Sequence, residues 1–468
     1  MHPVPSSKQQ FDLIVIGSGA AGEGAIDQAQ RSRRSIAIVE KDKVGGDCPN
    51  YACVPTKALL RSAKIYSLLK RAETFGLSPG AIEFDWSRVM ARKEQIVCST
   101  GETATEKRYR QAGIALFKGT AAFEDEHQIR VDGQVLHGDK IMLATGSRPE
   151  RPALPGLNEA HPITSVEAIS LPRLPTSLII LGGGPVGCEF AQLFSTFDVR
   201  VTLLQKAPTL LPREEPELSH IIQQALEANG VTVVTQVEIQ RVDRDALGKT
   251  VQALIHGQAR EFIAEEILIA TGREPQTAEL NLAAAGIQLA DGRVQINQYM
   301  QTASSHIYAG GDVAGPFQFT HFAHYQGTLA GLNMFSDEPR PADYRVVPRV
   351  TFTDPEIASV GLTEEQAREA GHRVISGKID LRSVGKALVD SDDLGMVKLV
   401  ADAASEEILG GHIVAPAAGE MIHEIVAAMT ARASISALAE AIHAYPTFAE
   451  GIKLAAGDWL KTRAQQRP

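Results

Sequence analysis

Apolar residues in this chain fall in short unbroken blocks divided by glycine clusters and helical stretches. That is the pattern of buried parallel strands, not of half-exposed alternating ones. Residues 11–16 (FDLIVI) form the first block and run directly into Gly17-Ser18-Gly19-Ala20-Ala21-Gly22. A helical run follows, then a second block at 35–39 that ends on Glu40. Strand, GxGxxG, helix, strand and closing carboxylate together make the dinucleotide-binding unit in its full setting. Gly17, Gly19 and Gly22 would let a pyrophosphate approach the backbone at a helix N-terminus, and Glu40 is placed for ribose hydroxyls.

The unit recurs. Residues 178–181 lead into Gly182-Gly183-Gly184-Pro185-Val186-Gly187, and 199–204 lead into Gln205-Lys206, at a constant offset from the first copy and without a gap. Gly182, Gly184 and Gly187 stand for the first three glycines, and Gln205 stands for Glu40. Two such folds imply two nucleotide cofactors, or one cofactor and a structural relic. A second echo joins Leu143-Ala144-Thr145-Gly146-Ser147-Arg148-Pro149 to Ile269-Ala270-Thr271-Gly272-Arg273-Glu274-Pro275, each closing an apolar strand where the chain can cross between domains. Proline-rich loops at 151–156 and 171–175 punctuate that boundary. A further strand ends in Gly310-Gly311-Asp312, whose plainest reading is a turn with a capping Asp. From Tyr344 onward, short strands (348–352, 396–401, 408–414) mix with helical runs (363–370, 419–433, 436–441), a separate α+β domain.

The chemistry concentrates at residues 45–57, GGDCPNYACVPTK. On an ideal helix Cys48 and Cys53 would stand about 140° apart, too far round for their sulfurs to meet, and Pro49 with Asn50 is the expected break. Cys53 then falls near the start of a helical run at 56–66, where helix amides and Lys57 favour a thiolate. A redox-active dithiol, two buried thiols and half a metal site all fit CxxxxC alone.

Totals narrow the class. A length of 468 residues suggests roughly two to four domains. The net charge of −10 argues against nucleic acid or an acidic membrane face as partner. With four cysteines this is no disulfide-stapled scaffold, and Cys98 and Cys188 read as core thiols. The N-terminus lacks a signal-peptide pattern and no apolar run approaches a membrane span, so a cytoplasmic location is expected.

Taken with the C-terminal Tyr445-Pro446-Thr447-Phe448-Ala449-Glu450, these motifs resemble the flavoprotein disulfide reductases, the family of dihydrolipoamide dehydrogenase, glutathione reductase and mercuric reductase. The resemblance covers essentially the whole chain. It implies an α/β fold of two doubled Rossmann-like three-layer domains plus an α+β domain. Residues 1–150 would begin the FAD domain, 151–272 would bind NAD(P), 273–344 would complete the FAD domain, and 345–468 would dimerise. The active site would form between the two subunits of a homodimer. Cys53 would be the flavin-proximal sulfur, Cys48 the interchange thiol, Lys57 the lysine beside the flavin and Glu189 its ion-pair partner. Asp312 matches the FAD ribityl contact, Thr145 and Gly146 lie beside the cofactor with Gly46, Gly272 is the counterpart of Gly146 in the second motif, and Ala121 matches an adenine-side contact.

The chain departs from the family at instructive positions. A His paired with a Glu matching Glu450 usually stands where Tyr445 stands, as the acid–base group for the interchange thiol. Tyr, with an ordinary pKa near ~10, cannot serve the same way at neutral pH. His443 is a substitute base or an ordinary loop histidine. A Tyr here is similar to mercuric reductase, where a metal ion is the acceptor, but the C-terminal cysteine pair typical of that family is missing. No resident metal is expected. Gln205 and Lys206 in place of an acidic residue favour NADPH, with NADH also usable. Pro185 stands where some relatives cover the flavin with a tyrosine. The expected activity is dithiol/disulfide oxidoreduction on a small-molecule or protein-bound substrate, dihydrolipoamide-dehydrogenase-like. The rivals are a mercuric-reductase-like enzyme for metals or electrophiles, and a flavin-binding redox sensor with little turnover.

Overall fold

The computed structural model describes residues 9–245 and 248–466. It divides into two compact units. One comprises residues 9–58, 88–150 and 272–343; the other comprises 59–87, 151–245, 248–271 and 344–466.

In the first unit the apolar blocks form a mixed sheet. Its order is Ala115–Lys118, Ile36–Glu40, Gln9–Ile16, Gln134–Leu143, Gln128–Val131, Ala121–Phe123. Gln9–Ile16 pairs in parallel with Ile36–Glu40 and along its whole length with Gln134–Leu143. Gln134–Leu143 also takes Ile307–Ala309 in parallel at its C-terminal end. Leu13, Ile14, Val15 and Ile36–Val39 are buried on both faces, which explains the unbroken apolar runs. Helix Ala20–Arg31 follows the first strand and packs backbone-close on helix Thr320–Met334. A Cβ on Gly327 would fall on the Ala21 carbonyl, so no larger residue fits that crossing.

The second unit holds a four-stranded parallel sheet ordered Thr232–Val234, Arg200–Leu204, Ser177–Leu181, Glu266–Ile269. An antiparallel set, Val237–Arg244, Lys249–Ile255 and Gln258–Ala264, lies beside it in sequence. The C-terminal part is a five-stranded antiparallel sheet ordered Arg349–Thr351, Glu356–Gly361, Ile408–Ala415, Met396–Asp402, Val374–Asp380. Helices Ala418–Thr430 and Glu450–Gln465 belong to this part, and Trp459 is fully buried with its indole N–H donated to the Ile375 carbonyl at 2.9 Å. Strands 396–401 and 408–414 are found nearly as expected, whereas the expected helix 419–433 is Ala418–Thr430. Among the described residues no helix is long and apolar enough to cross a membrane.

Candidate active site

The first fingerprint is built by close backbone contacts. Gly17 has φ +97°, and a Cβ there would land on the Ala144 carbonyl, so only glycine lets this turn meet the strand end at 144. Gly46, at φ +72°, lies against Gly19: a Cβ would come within 2.6 Å of the Gly19 Cα. The glycine pair therefore seats the cysteine loop directly on the fingerprint. Glu40 is buried, and its carboxylate accepts from the Ser18 N–H at 3.0 Å, the Ser18 hydroxyl at 2.7 Å and the Asp42 N–H at 2.9 Å. Three bonds leave one of roughly four acceptor positions for a ribose hydroxyl. A Cβ on Gly19 would find nothing nearer than 3.8 Å, so that side of the loop is open to a phosphate. These residues fit a bound dinucleotide.

The cysteine loop makes two helical segments. Cys48 lies in the short helix Asp47–Asn50, and Cys53 opens helix Cys53–Lys70. The break comes at Tyr51-Ala52, not at Pro49. Proline sits in the first turn, where its missing N–H is not needed. The second helix starts three residues earlier than the expected 56. Asn50 pins the loop from inside: its amide donates to the Val44 and Gly46 carbonyls and its oxygen accepts from the Glu102 N–H. Both cysteines are thiols here, and the Cys53 sulfur lies 3.2 Å from the Thr320 hydroxyl. The Cys48 thiol is held far above the usual thiol range, by its hydrogen bond to Cys53, by burial and by the Cys53 charge. Lys57 lies one helical turn after Cys53.

Arg273 ties this loop to the paired ATG motifs. Its guanidinium donates to Asp47 at 2.6 Å, to the Ser147 hydroxyl at 2.8 Å and to the Ser147 carbonyl at 3.0 Å. The Ser147 hydroxyl donates in turn to Asp312 at 2.5 Å. Asp312 caps no helix; burial raises its carboxyl, while Ser147 and Arg273 work the other way. Thr145 donates to the Gln276 carbonyl and Gln276 returns a bond to the Thr145 carbonyl. Gly146 accepts from the Gln276 N–H, and Gly272 accepts from the Glu150 N–H. Ala121 is buried in the strand after Gly119, whose N–H bonds to the Glu40 carbonyl. Thr320 and Gln276 were not singled out in the sequence; Asp47, Ser147 and Arg273 appeared only as members of the cysteine loop and the repeated motif.

In the second unit, the Gly182–Gly187 turn opens helix Pro185–Thr196 with Gly184 as N-cap and Pro185 at the first position. Gln205 is buried, accepting from the Gly183 N–H at 3.1 Å and donating to the Thr209 carbonyl at 3.2 Å. It holds its loop as Glu40 does, without the charge. Lys206 is exposed. Glu189 is buried and accepts from the Phe352 N–H at 3.0 Å. His443 shares a 2.8 Å contact with the Glu424 carboxylate. Tyr445 is exposed, with its ring over Gly385, where a Cβ would meet the hydroxyl at 2.7 Å. Glu450 opens helix Glu450–Gln465, where a carboxylate suits the helix dipole. Cys188 is buried as expected, and burial raises its thiol. Cys98 is a correction: it is exposed, near the polar Ser99-Thr100 end of helix Trp86–Thr100.

Two nucleotide folds and a thiol pair seated on the first of them define an α/β flavoprotein oxidoreductase. The chain matches the pyridine nucleotide-disulphide oxidoreductase family over residues 11–327 and the dimerisation domain of that family over 347–456. It is 36% identical over 447 residues to a mercuric reductase of Staphylococcus aureus, covering 95% of this chain and 82% of the relative. It is 35% identical over 447 residues to a dihydrolipoyl dehydrogenase of Bacillus subtilis, covering 94% and 96%. The solved Cu(II) complex of the HOCl-induced flavoprotein disulfide reductase RclA from Escherichia coli superposes with a TM-score of 0.86 at 28% identity, covering 96% and 99%. The chain belongs to the pyridine nucleotide-disulphide oxidoreductase family, an enzyme family that uses FAD and NAD(P)H.

Proposed function

We propose that the protein is a homodimeric oxidoreductase that exchanges electrons between NAD(P)(H) and a small-molecule or protein-bound dithiol or disulfide, through Cys48 and Cys53. The observation that carries this reading is the pair of free thiols itself, hydrogen-bonded to one another on a loop seated on the first fingerprint. Bound FAD, held by Gly17, Gly19, Gly22, Glu40, Gly46 and Asp312, would supply hydride exchange with the nicotinamide. Once deprotonated, Cys48 attacks one sulfur of a disulfide substrate, forming a mixed disulfide and releasing a thiolate. Cys53 then attacks Cys48, closing the internal disulfide and releasing the second thiolate. A base must take the Cys48 proton and return it to the leaving sulfur. His443, with a carboxylate partner in Glu424, has the chemistry for that role; Tyr445 does not. In this reading Lys57 tunes the cofactor, and the active site is shared between subunits. The absence of a carboxylate at Gln205 supports NADPH over NADH.

Tyr445 supports a second reading, a soft metal ion or electrophile as electron acceptor, since mercuric reductases are as similar to this chain as dihydrolipoyl dehydrogenases are. One experiment separates the two. The protein is reduced anaerobically with NADPH or NADH, then given lipoamide, glutathione disulfide or Hg(II). Fast reoxidation by lipoamide, lost in His443→Ala and kept in Tyr445→Phe, supports the first reading; the reverse pattern with Hg(II) supports the second. Failure of wild-type protein to release two thiols on reduction would sink the dithiol assignment. No turnover with any acceptor would leave the redox sensor.

A further inference from the structure

We infer that Glu214 is a positioning residue of the coenzyme loop. Clasped by Arg349 and Ser359 of the C-terminal sheet, it holds residues 205–215 against the second glycine turn, in the form that receives the adenosine end of NAD(P)H. The inference rests on the NAD(P)H reading above for its purpose; the clasp itself is independent of any coenzyme.

The loop and the glycine turn fix one another. The Gln205 side chain accepts from the Gly183 N–H at 3.1 Å, and the Leu211 N–H donates to the Gly183 carbonyl at 2.9 Å. Both backbone polar groups of Gly183 are therefore taken by the loop. Leu210 is fully buried, and a Cβ on Gly183 would fall 2.5 Å from its Cδ2. A Cβ on Gly184 would meet nothing within 4 Å, so the outer side of the turn is open to a pyrophosphate. The loop needs support to keep this shape. Leu211 has φ +45°, a left-handed conformation that a leucine adopts only against a steric cost. The Glu214 N–H closes that turn onto the Leu211 carbonyl at 2.9 Å.

The support comes from a row of polar side chains across the C-terminal sheet. Arg349 stands opposite Ser359, Ser359 opposite His412, His412 opposite Lys398 and Lys398 opposite Lys378, so the whole row shares one face. Against it lies the acidic end of the loop, Glu214-Glu215-Pro216-Glu217. Glu214, its side chain 10% exposed, accepts from Arg349 at 2.6 Å and from the Ser359 hydroxyl at 2.5 Å. A second Arg349 nitrogen donates to the Arg213 carbonyl at 3.1 Å, so one guanidinium grips the side chain and the backbone of the same turn. Lys398 takes Glu215 at 3.0 Å and Lys378 takes Glu217 at 2.7 Å. Charge-assisted bonds supplied by a sheet hold a turn more firmly than neutral ones. Glu214 is three residues from Leu211, so its clasp reaches Gly183 through a single turn.

The test compares Glu214→Gln, Arg349→Met and the double variant with Trp459→Phe. The last is a destabilised control: Trp459 packs on Gly377, whose side of the strand is opposite to that of Lys378. Two quantities are read on the flavin-loaded proteins. One is the NADPH or NADH concentration that half-saturates anaerobic flavin reduction, together with the limiting rate. The other is hydrogen exchange at the amides of Gly183 and Leu211. Loss of a charge-assisted bond predicts that Glu214→Gln raises half-saturation about tenfold, leaves the limiting rate within about twofold, and speeds exchange at Leu211. Arg349→Met should do the same, and the double variant should add little to the larger single effect, since both remove one clasp. Trp459→Phe should lower the melting temperature and leave half-saturation and exchange unchanged. Half-saturation within about twofold of wild type in Glu214→Gln, a loss confined to the limiting rate, additive effects in the double variant, or an equal effect of Trp459→Phe overturns the inference. If neither coenzyme reduces the wild-type flavin, the oxidoreductase reading falls, and exchange at Leu211 alone decides whether Glu214 holds the loop.

Discussion

Lys398 offers the sharpest test of how the second unit is held together. It lies in strand Met396–Asp402 with its side chain 5% exposed, and its ammonium contacts Glu215 at 3.0 Å, Glu217 at 3.2 Å and Glu364 at 2.8 Å. Glu215, 4% exposed, heads helix Pro216–Ala228 of the nucleotide-binding part, and its other oxygen accepts from the Glu364 N–H at 2.6 Å. One cation therefore joins that part to the C-terminal sheet. Burial works against the Lys398 charge, but the hydrogen bonds to Glu364 and Glu215 outweigh it and hold the ammonium above its ordinary range. Burial likewise works to raise Glu364 and Glu217, and their lysine partners bring both below the ordinary carboxylate range. Lys398→Met keeps the stem and removes the charge, leaving Glu215 without its ammonium while Lys378 still meets Glu217 and Arg368 still meets Glu364. Removing one partner of a buried ion pair costs about 3–5 kcal/mol, which for this size of unit lowers the melting temperature by roughly 10 °C. The sign with pH follows. Depressed carboxylates contribute stability that is present above about 4.5 and is lost as pH falls through their folded-state values. In the variant that contribution becomes a penalty at neutral pH, and protonation relieves it. Melting curves from pH 7.5 to 4.5 should show the largest deficit at the alkaline end, shrinking toward the acidic end. A deficit under ~2 °C at pH 7.5, or one that grows on acidification, would refute the reasoning.

Two further outcomes follow from the nucleotide sites. Glu40→Gln retains the bond to one N–H but loses the charge that gathers the Ser18 and Asp42 donors; a roughly tenfold weaker hold on FAD is expected, read as a lower flavin-to-protein absorbance ratio after gel filtration, and an unchanged ratio would count against Glu40 as the cofactor's acidic contact. Gln205→Glu keeps the bond to Gly183 while restoring a carboxylate, so kcat/KM for NADPH should fall about tenfold relative to NADH; a constant ratio would remove the argument from residue 205.

Local sequence carried a large part of the fold because its signals are local. The double-sided burial of Leu13 to Val15 shows as an uninterrupted apolar run, and a turn that must lay its backbone on the Ala144 carbonyl shows as a glycine. The repeat of that signal at 182–187 was legible for the same reason, as was the start of a helix near Cys53. Helix limits were less legible: Pro49 reads as a breaker in any window, yet costs nothing in the first turn of Asp47–Asn50. Cys98 reads as apolar by type, but which way it faces is set by packing around helix Trp86–Thr100.

What the sequence alone determined was the order of elements, the two nucleotide turns and the placement of two cysteines on one loop. The tertiary structure alone decided which distant groups those cysteines and carboxylates meet. Thr320 beside Cys53, Arg273 on Asp47, Glu424 on His443 and three glutamates around Lys398 are contacts between residues whose separation along the chain has no periodicity. Such side chains carry no mark of their partner, because a hydrogen bond or an ion pair depends on distance and direction in space. Those are set only when Gly24 and Gly327 let two helices close to backbone contact, and when the C-terminal sheet buries Lys398 against the helix that follows Glu215.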